Sequence, residues 1–392
     1  MSLELPGHVL VLGLGRSGQA ASAALARAGV QVVGVDRKLG NDEDAALLDA
    51  VELVVKSPGV PGEHPLVAEA RRRRVPVWSE VELGYRLLPG SSKVIGVTGT
   101  NGKTTTVELL GAVFRAAGRT VVVAGNVGRP LSGIEPADWV VCELSSFQLE
   151  DVHELSCAVA VLLNLEPDHL DRHGCFEAYR DAKLRVFERA EISVVPHGAG
   201  LEGIEFSADD ALPAEPRLRG RHNRENAAAA TAAARAVGVD VEAIAEALRT
   251  FPGVAHRLEE VAEVGGVHWV NDSKATNVAA TRRALEAYAD QPLLVIAGGR
   301  GKGESFDSLA QALGDNVRFV YAIGETADEL AAAVGARAVI ARDLGTAARM
   351  AAEEAQPGDV VLLSPACASY DQFESFEERG EEFRRLAQNQ TG

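Results

Sequence analysis

The sequence predicts an α/β fold divided among three domains, on three observations. Short β-branched runs alternate with Ala- and Leu-rich helical patterns through most of the chain, as parallel strands joined by helical crossovers do. At 392 residues the chain exceeds one ordinary domain, on a scale of roughly 100–200 residues each. Two glycine-rich stretches, Val11–Gly18 (VLGLGRSG) and Gly96–Thr106 (GVTGTNGKTTT), each stand between an apolar run and a helical pattern.

Runs at Val9–Leu12, Val32–Val35, Leu53–Val55 and Val75–Trp78 give a small first sheet, with a helix starting near Pro65. Leu88-Pro-Gly-Ser-Ser92 then reads as a linker, so the first domain is 1–92. A second set of strands follows at Lys93–Val97, Thr120–Ala124, Trp139–Cys142, Ala158–Leu163 and Ile192–Val195. Ala-rich Asn226–Val237 reads as a tightly packed helix, since Ala is the best helix former. After Phe251-Pro-Gly253 the pattern changes: Leu258–Val264 and Val267–Val270 flank Gly265-Gly266 as a hairpin. Strands at Leu293–Ala297, Phe319–Ile323, Ala338–Ala341 and Val360–Leu363 complete the third set, giving domains 93–255 and 256–392.

A net charge of −17 argues against a nucleic-acid or anionic-membrane surface, and the one basic run, Arg71–Arg74, is expected to face water. Cys142, Cys157, Cys175 and Cys367 lack C-x-x-C spacing and fall in or beside apolar runs, as small buried residues do. No secretory pattern and no run of 18 apolar residues occurs, so a cytoplasmic protein with no membrane partner is expected.

Gly13, Gly15 and Gly18 fit G-x-G-x-x-G after a strand, and a second strand ends in Asp36, where a ribose hydroxyl would be held. Alone, this stretch reads as a nicotinamide-dependent dehydrogenase, and the alternative is that its glycines serve only tight strand–helix packing. The stronger signal is Gly99-Thr-Asn-Gly-Lys-Thr-Thr105. Its backbone amides can cradle phosphates, the Lys103 ammonium can reach the β and γ groups, and the Thr104 hydroxyl can ligate Mg²⁺. It departs from G-x-x-x-x-G-K-[ST], because Val97 holds the first glycine position. Glu143, at the end of a following strand, is the metal candidate, and His169 in Asn164–Arg172 is a ligand or acid/base candidate. Lys183 lies in an ordinary helical pattern, where its residue type does not separate it from Arg180 or Arg185.

These stretches, with Glu143-Leu-Ser-Ser-Phe-Gln-Leu149, His222-Asn-Arg-Glu-Asn226, His256-Arg257 and Asn271–Asn277, resemble the Mur ligases of peptidoglycan synthesis, in the family's order across nearly the whole chain. The ending Ser364–Gly380 is similar to the branch that adds D-glutamate. The resemblance implies a Rossmann-like N-terminal domain, a central P-loop ATPase-like domain and a C-terminal Rossmann-like domain that closes over the second. It implies an ATP-dependent ligase of cell-wall biogenesis, and hence of cell shape and division. An acyl phosphate on UDP-N-acetylmuramoyl-L-alanine is attacked by D-glutamate; another Mur-type or a folylpolyglutamate-type amide ligase is the alternative.

By resemblance, Gly99, Thr100, Asn101, Gly102, Lys103, Thr104 and Thr105 bind ATP, with Asn223, Asn226, Arg257 and Asp272 at the adenine and ribose and His256 beside them. Thr104 and Glu143 hold one Mg²⁺; His169 and Lys183, carbamylated by CO₂, hold a second. Thr276, Lys302, Ser369 and Phe376 match the D-glutamate positions, and Asn126 a contact to the muramoyl substrate. The first glycine turn is then free for the UDP of that substrate, at Gly15, Ser17, Asp36, Arg37, Ser57 and Gly59. A monomer is expected, with no nucleic-acid partner.

Overall fold

The computed structural model describes residues 5–301 and 303–390, with Asp171 described through its backbone alone. Strands β1 (His8–Leu12), β2 (Gln31–Val35), β3 (Leu53–Lys56) and β4 (Val77–Ser79) form a parallel sheet in the order β2-β1-β3-β4. Strands β5 (Lys93–Thr98), β6 (Val121–Gly125), β7 (Trp139–Glu143), β8 (Val159–Leu162), β9 (Ser193–Pro196) and β10 (Ile204–Phe206) form a second parallel sheet, ordered β10-β9-β8-β5-β7-β6. The third contains β11 (Glu259–Val264), β12 (Val267–Asn271), β13 (Leu293–Gly298), β14 (Val317–Ile323), β15 (Ala338–Arg342) and β16 (Val360–Leu363), ordered β11-β12-β16-β13-β14-β15. Only β11 runs antiparallel to its neighbour, as the Gly265-Gly266 hairpin requires.

The central strands are buried on both faces, so they read as unbroken apolar runs; β7, β8, β13 and β16 are buried at every residue. All the predicted strand runs are present, with ends shifted slightly: Val75–Trp78 begins at Val77. Strand β10 was not predicted, because at the sheet edge only Phe206 of its residues is buried and no alternation shows. The Ala-rich helix begins earlier than Asn226, at Arg221, through a polar first turn.

Packing divides the chain into two compact units. The first runs to Arg217 and takes in His222–Phe251; the second holds Leu218–Arg221 and the chain from Pro252 onward. The first unit contains both parallel sheets, and helix Glu80–Leu87 explains why. Val81 sits in the core of the second sheet and Leu83 in that of the first. At its N-terminus Glu80 Oε1 accepts from Ser132 N at 2.7 Å and Ser132 Oγ at 2.6 Å. Glu82 accepts from the amides of His153, Glu154 and Leu155. These acids are buried and aimed at backbone donors of the second sheet's loops, where a carboxylate forms strong charge-assisted bonds.

One expectation needs correction and one holds with an addition. Cys142, Cys157 and Cys367 are buried, and burial pushes the Cys157 thiol up to about 12, but Cys175 is exposed, in the turn that starts helix Phe176–Leu184. Arg71–Arg74 does face water, yet the helix ends at Arg72, and the run is not simply solvated: Arg72 and Arg73 share Glu69, Arg73 also meets Asp49, and Arg71 meets Asp151. Among the described residues, no helix is long and apolar enough to cross a membrane.

Candidate active site

Ligands of open parallel sheets collect at the carboxyl ends of the strands, where the strand order switches direction. In the first sheet β1 lies between β2 and β3, so Gly13, Asp36 and Ser57 meet at one rim. In the second, β5 lies between β7 and β8, which brings together Gly99, Glu143 and Asn164.

At the first rim two of the three glycines are required by the chain itself. Gly13 has φ +86°, and a Cβ on Gly18 would stand 1.9 Å from the Gly13 carbonyl oxygen. Gly15 differs: it is the N-cap of helix Arg16–Arg27 at φ −67°, with nothing within 4 Å of where its Cβ would be. The open space lies at the positive end of the helix, where an anion is stabilised. Ser57 Oγ donates to Gly13 O at 2.6 Å, so its hydroxyl props the turn. Asp36 Oδ2 accepts from Leu14 N at 2.6 Å and Oδ1 from Lys38 N at 2.9 Å; these amides, Lys38 first, hold its carboxyl below the usual range. Arg37 is exposed, Ser17 at the helix start is half-buried, and Gly59 has open space beside it. Arg16 Nη1 reaches the Gly128 carbonyl at 3.4 Å, which brings the Gly125–Gly128 loop and Asn126 beside this rim.

At the second rim Gly102 is forced to be glycine twice over, by φ +84° and by Asn226 Oδ1 at 2.2 Å from a would-be Cβ. Asn226 and Asn223 thus stand buried against the phosphate loop. Thr100 N and Asn101 N donate to Asn164 O and Oδ1 at 3.0 and 2.8 Å, so part of the predicted amide cradle is occupied by the chain. Lys103 Nζ donates to the carbonyls of Gly99 and Thr100 at 2.8 and 2.9 Å. Lys183 Nζ, buried, donates to the same Gly99 carbonyl at 2.8 Å. Burial, then repulsion by Lys103, lowers its pKa to about 7. Lys183 is thereby separated from Arg180, which is exposed and pairs with Asp181, and from Arg185, which serves the carbonyls of Glu150 and Val152.

Glu143 closes this rim. It pairs with Val97 across β5–β7, and its Oε1 accepts from Asn126 Nδ2 at 3.1 Å. Its other oxygen, Oε2, is buried with no partner. A buried carboxylate oxygen without a donor is costly unless a cation completes it. With the buried Thr104 hydroxyl in the first turn of the helix after the loop, the donors are hard oxygens of the kind Mg²⁺ takes, so the residues fit that ion. His169 starts helix Leu170–His173 at φ +51°; its amide is capped by Asp168 Oδ1, and its ring is half exposed, 5.0 Å from the Phe147 ring.

The second unit holds the remaining candidates. Asp272, buried, accepts from Ser364 Oγ at 2.8 Å and Leu258 N at 3.3 Å; burial raises it to about 7 despite these donors and Arg257. His256, at φ +63°, lies edge-on to the Phe376 ring. Thr276 is half-buried and Ser369 buried, while Lys302 lies outside the described residues.

Three participants were not singled out from sequence. Asn164 ties the phosphate loop to β8, and only strand order reveals that β8 neighbours β5. Tyr179 Oη, pushed up to about 12 by burial, bonds Thr100 Oγ1 at 2.9 Å; its i, i+4 spacing to Lys183 was the available signal. Arg379, buried and lowered to about 10 by desolvation, donates to Ser273 Oγ and to the carbonyls of Ser273, Cys367 and Ala368, joining the segments around Asp272 and Ser369. Its neighbours in sequence, Glu377, Glu378, Glu381 and Glu382, carry no sign of its burial.

Comparison with known proteins identifies the family. Residues 97–202 match the Mur ligase middle domain and 256–367 the Mur ligase, glutamate ligase domain. The chain is 44% identical to the UDP-N-acetylmuramoylalanine–D-glutamate ligase of Anaeromyxobacter dehalogenans, over 99% of both chains, and 39% identical to that of Geobacillus kaustophilus, over 96% of both. Its fold is shared by the UDP-N-acetylmuramate–alanine ligase of Thermotoga maritima, at TM-score 0.64 and 20% identity over 97% of this chain and 99% of that one. The MurF ligase of the same organism gives TM-score 0.62 at 18% identity, over 98% and 94%. Two matched domains and relatives alike from end to end make the chain a member of the Mur ligase family.

Proposed function

We propose that the chain is an ATP-dependent ligase that joins D-glutamate to UDP-N-acetylmuramoyl-L-alanine, releasing ADP and phosphate, in the cytoplasmic stage of peptidoglycan synthesis. Its end-to-end likeness to relatives named for that reaction supports the substrates. The observation that carries the chemistry is the meeting of Lys103 and Lys183 at the Gly99 carbonyl, beside the orphaned Glu143 oxygen.

The work divides along the chain. Residues 1–92 hold the UDP end, with Gly15 and Ser17 at the helix start, Arg37 beside the diphosphate, Gly59 leaving room for it, and Ser57 and Asp36 shaping the turn. Residues 93–255 bind ATP, and residues 256–392 hold the amino acid, with Arg257 and Asp272 as that segment's candidates for the adenosine. A carboxylate does not condense with an amine in water, so it must first accept the γ-phosphoryl group. Lys103 turns from the loop carbonyls to the β and γ oxygens and balances the charge that gathers as the acyl phosphate forms. Asn126 orients the muramoyl chain. The D-glutamate amine then attacks the acyl carbon, and phosphate leaves from the tetrahedral intermediate. Lys302 and Ser369 hold the carboxylates of D-glutamate, with Thr276 and Phe376 around its chain.

Thr104 and Glu143 would hold one Mg²⁺ and His169 with Lys183 a second; the ions supply charge neutralisation at the reacting oxygens. Lys183 serves as a ligand only once its amine is turned into an anion by CO₂. A lysine near pKa 7 holds a large neutral fraction at physiological pH, and the neutral amine is the form that reacts. The deciding experiment measures phosphate release with ATP, UDP-N-acetylmuramoyl-L-alanine and each of D-glutamate, L-glutamate, L-lysine and diaminopimelate. Turnover with D-glutamate alone is expected; turnover with another amino acid, or none, overturns the assignment.

A further inference from the structure

Between the two sheets of the first unit runs a chain of polar contacts that none of the roles above uses. Lys56, the last residue of β3, is fully buried, and a buried ammonium persists only where carboxylates face it. Its Nζ lies 2.8 Å from Asp151 Oδ2 and 3.5 Å from Glu150 Oε2. Asp151 is also paired with Arg71 at 2.7 Å, and its carbonyl takes Ser79 N, so Asp151 anchors the two sheets. Glu150 is placed differently. Its second oxygen, Oε1, lies 3.3 Å from His173 Nδ1, and its side chain keeps 26% exposure. Facing a carboxylate, Nδ1 carries the proton, which leaves Nε2 to accept from Ser146 Oγ at 2.9 Å.

The His173 ring, 3% exposed, stacks flat on Phe147 with 5° between planes, and the His169 ring packs on that same Phe147. Its edge meets Tyr179, whose hydroxyl holds Thr100 of the phosphate loop. At the other end, Ser57 follows Lys56 and supports the glycine turn. The contacts are therefore continuous from one nucleotide rim to the other, and Glu150 is the link with a partner on each side.

We propose that Glu150 is a positioning residue: by bridging Lys56 and His173 it ties the end of β3 to the turn that carries His169, and so fixes the His169 ring for its role at the reacting phosphate. Stability alone does not explain the contact, because Asp151, at 2.8 Å, still faces the buried Lys56 without it, and Arg71, which shares Asp151, is half exposed and screened by water. The proposal rests on the cation-holding role given to His169 above.

Glu150→Gln keeps the shape, leaves Lys56 paired, and breaks the charged link to His173. The full chain is titrated with Mn²⁺ by electron paramagnetic resonance without nucleotide, and its Tm and steady-state constants are measured alongside. Glu150→Gln is expected to weaken Mn²⁺ binding and lower kcat by roughly tenfold each, as loss of an outer partner of a metal ligand does, with Tm and the D-glutamate KM nearly unchanged. Asp151→Asn, the anchor, is expected to lower Tm and leave the Mn²⁺ titration in place. Wild-type Mn²⁺ affinity and kcat in Glu150→Gln overturn the proposal, and so does an equal Mn²⁺ shift in Asp151→Asn. If the wild type shows no D-glutamate-dependent phosphate release, the functional assignment fails instead, and the Mn²⁺ titrations still decide on Glu150.

Discussion

The two glycine-rich turns of the first unit share a backbone plan and differ in charge. Each leaves a strand flanked on both sides, β1 or β5, and opens a helix. At Gly13–Gly18 the charged group bonded into the turn is a carboxylate, Asp36, which takes the Leu14 amide. At Gly99–Lys103 two ammonium groups share one carbonyl, and a buried carboxylate oxygen stands without a donor. The shape of the turn offers amides and a helix dipole to any phosphate, whereas transfer of a phosphoryl group needs cations where charge develops. On the proposed function, the first turn holds the diphosphate of the substrate and the second transfers the γ-phosphoryl group of ATP.

The largest effect that tests this contrast is at Lys103. Lys103→Ala is expected to lower D-glutamate-dependent phosphate release by about 10³-fold, the scale of losing a main charge-stabilising donor. Calorimetric affinity for UDP-N-acetylmuramoyl-L-alanine should stay within about twofold, because the proposed function gives that ligand to the other turn. A loss of both together would mean the turns do not divide the work.

Lys183 sharpens the comparison through pH. Lys183→Ala should lose on the order of 10²-fold in kcat, with partial rescue by a short carboxylic acid that supplies the missing anionic oxygen. Full activity in the variant would remove the lysine from the reaction. Its pKa falls from 10.5 to about 7, so between those values the unfolded chain holds a proton that the folded chain has released. The group's contribution to stability therefore rises with pH from about 7 to 10.5, and below that window the folded state carries the full cost of the buried ammonium. In bicarbonate-free buffer, the Tm advantage of Lys183→Met over wild type should be largest at pH 6 and shrink towards pH 9. A constant difference would mean that Lys183 keeps its ordinary pKa.

Much of this was legible in the sequence, for reasons particular residues make plain. Buried parallel strands must be apolar on both faces, so β7 and β16 announced themselves, while β10, with one buried residue, did not. Gly99–Thr105 and Glu143 could be singled out because a glycine-rich turn and a carboxylate each follow a legible strand, and the structure brings the two strand ends side by side. Asn164, Glu82 and Arg379 could not, since each earns its place from a neighbour far along the chain: Asn101, Leu155 and Ser273. The boundary read at residue 92 came from a turn-rich composition, which carries no trace of Val81 packing into the second sheet's core.

A smaller effect separates glycines needed by the fold from those needed by a ligand. Gly18→Ala would drive a methyl against the Gly13 carbonyl oxygen, a backbone atom that cannot swing away. The cost should be about 1–3 kcal/mol, read as a lower urea midpoint at unchanged m. A wild-type midpoint would show that the helix can draw back from β1, and the close approach would lose its meaning.

Gly15 gives the smallest change in stability and the cleanest reading of the first turn. Its backbone is ordinary and the space beside it is open, so nothing inside the chain asks for a glycine there. Gly15→Ala should cost about 1 kcal/mol at most, the scale of exchanging a glycine N-cap for the poorer alanine. Gly15→Ser should even raise Tm slightly, since its hydroxyl can accept from the helix's first amides, which have no side-chain cap. Both variants should nevertheless weaken binding of UDP-N-acetylmuramoyl-L-alanine by roughly threefold to tenfold, about 1 kcal/mol, by filling the space a phosphate approaches. The serine variant is the telling one, because stability and affinity move in opposite directions. If it binds as tightly as wild type while Tm rises, the open space is no phosphate site, and the glycines of the first turn serve strand–helix packing alone.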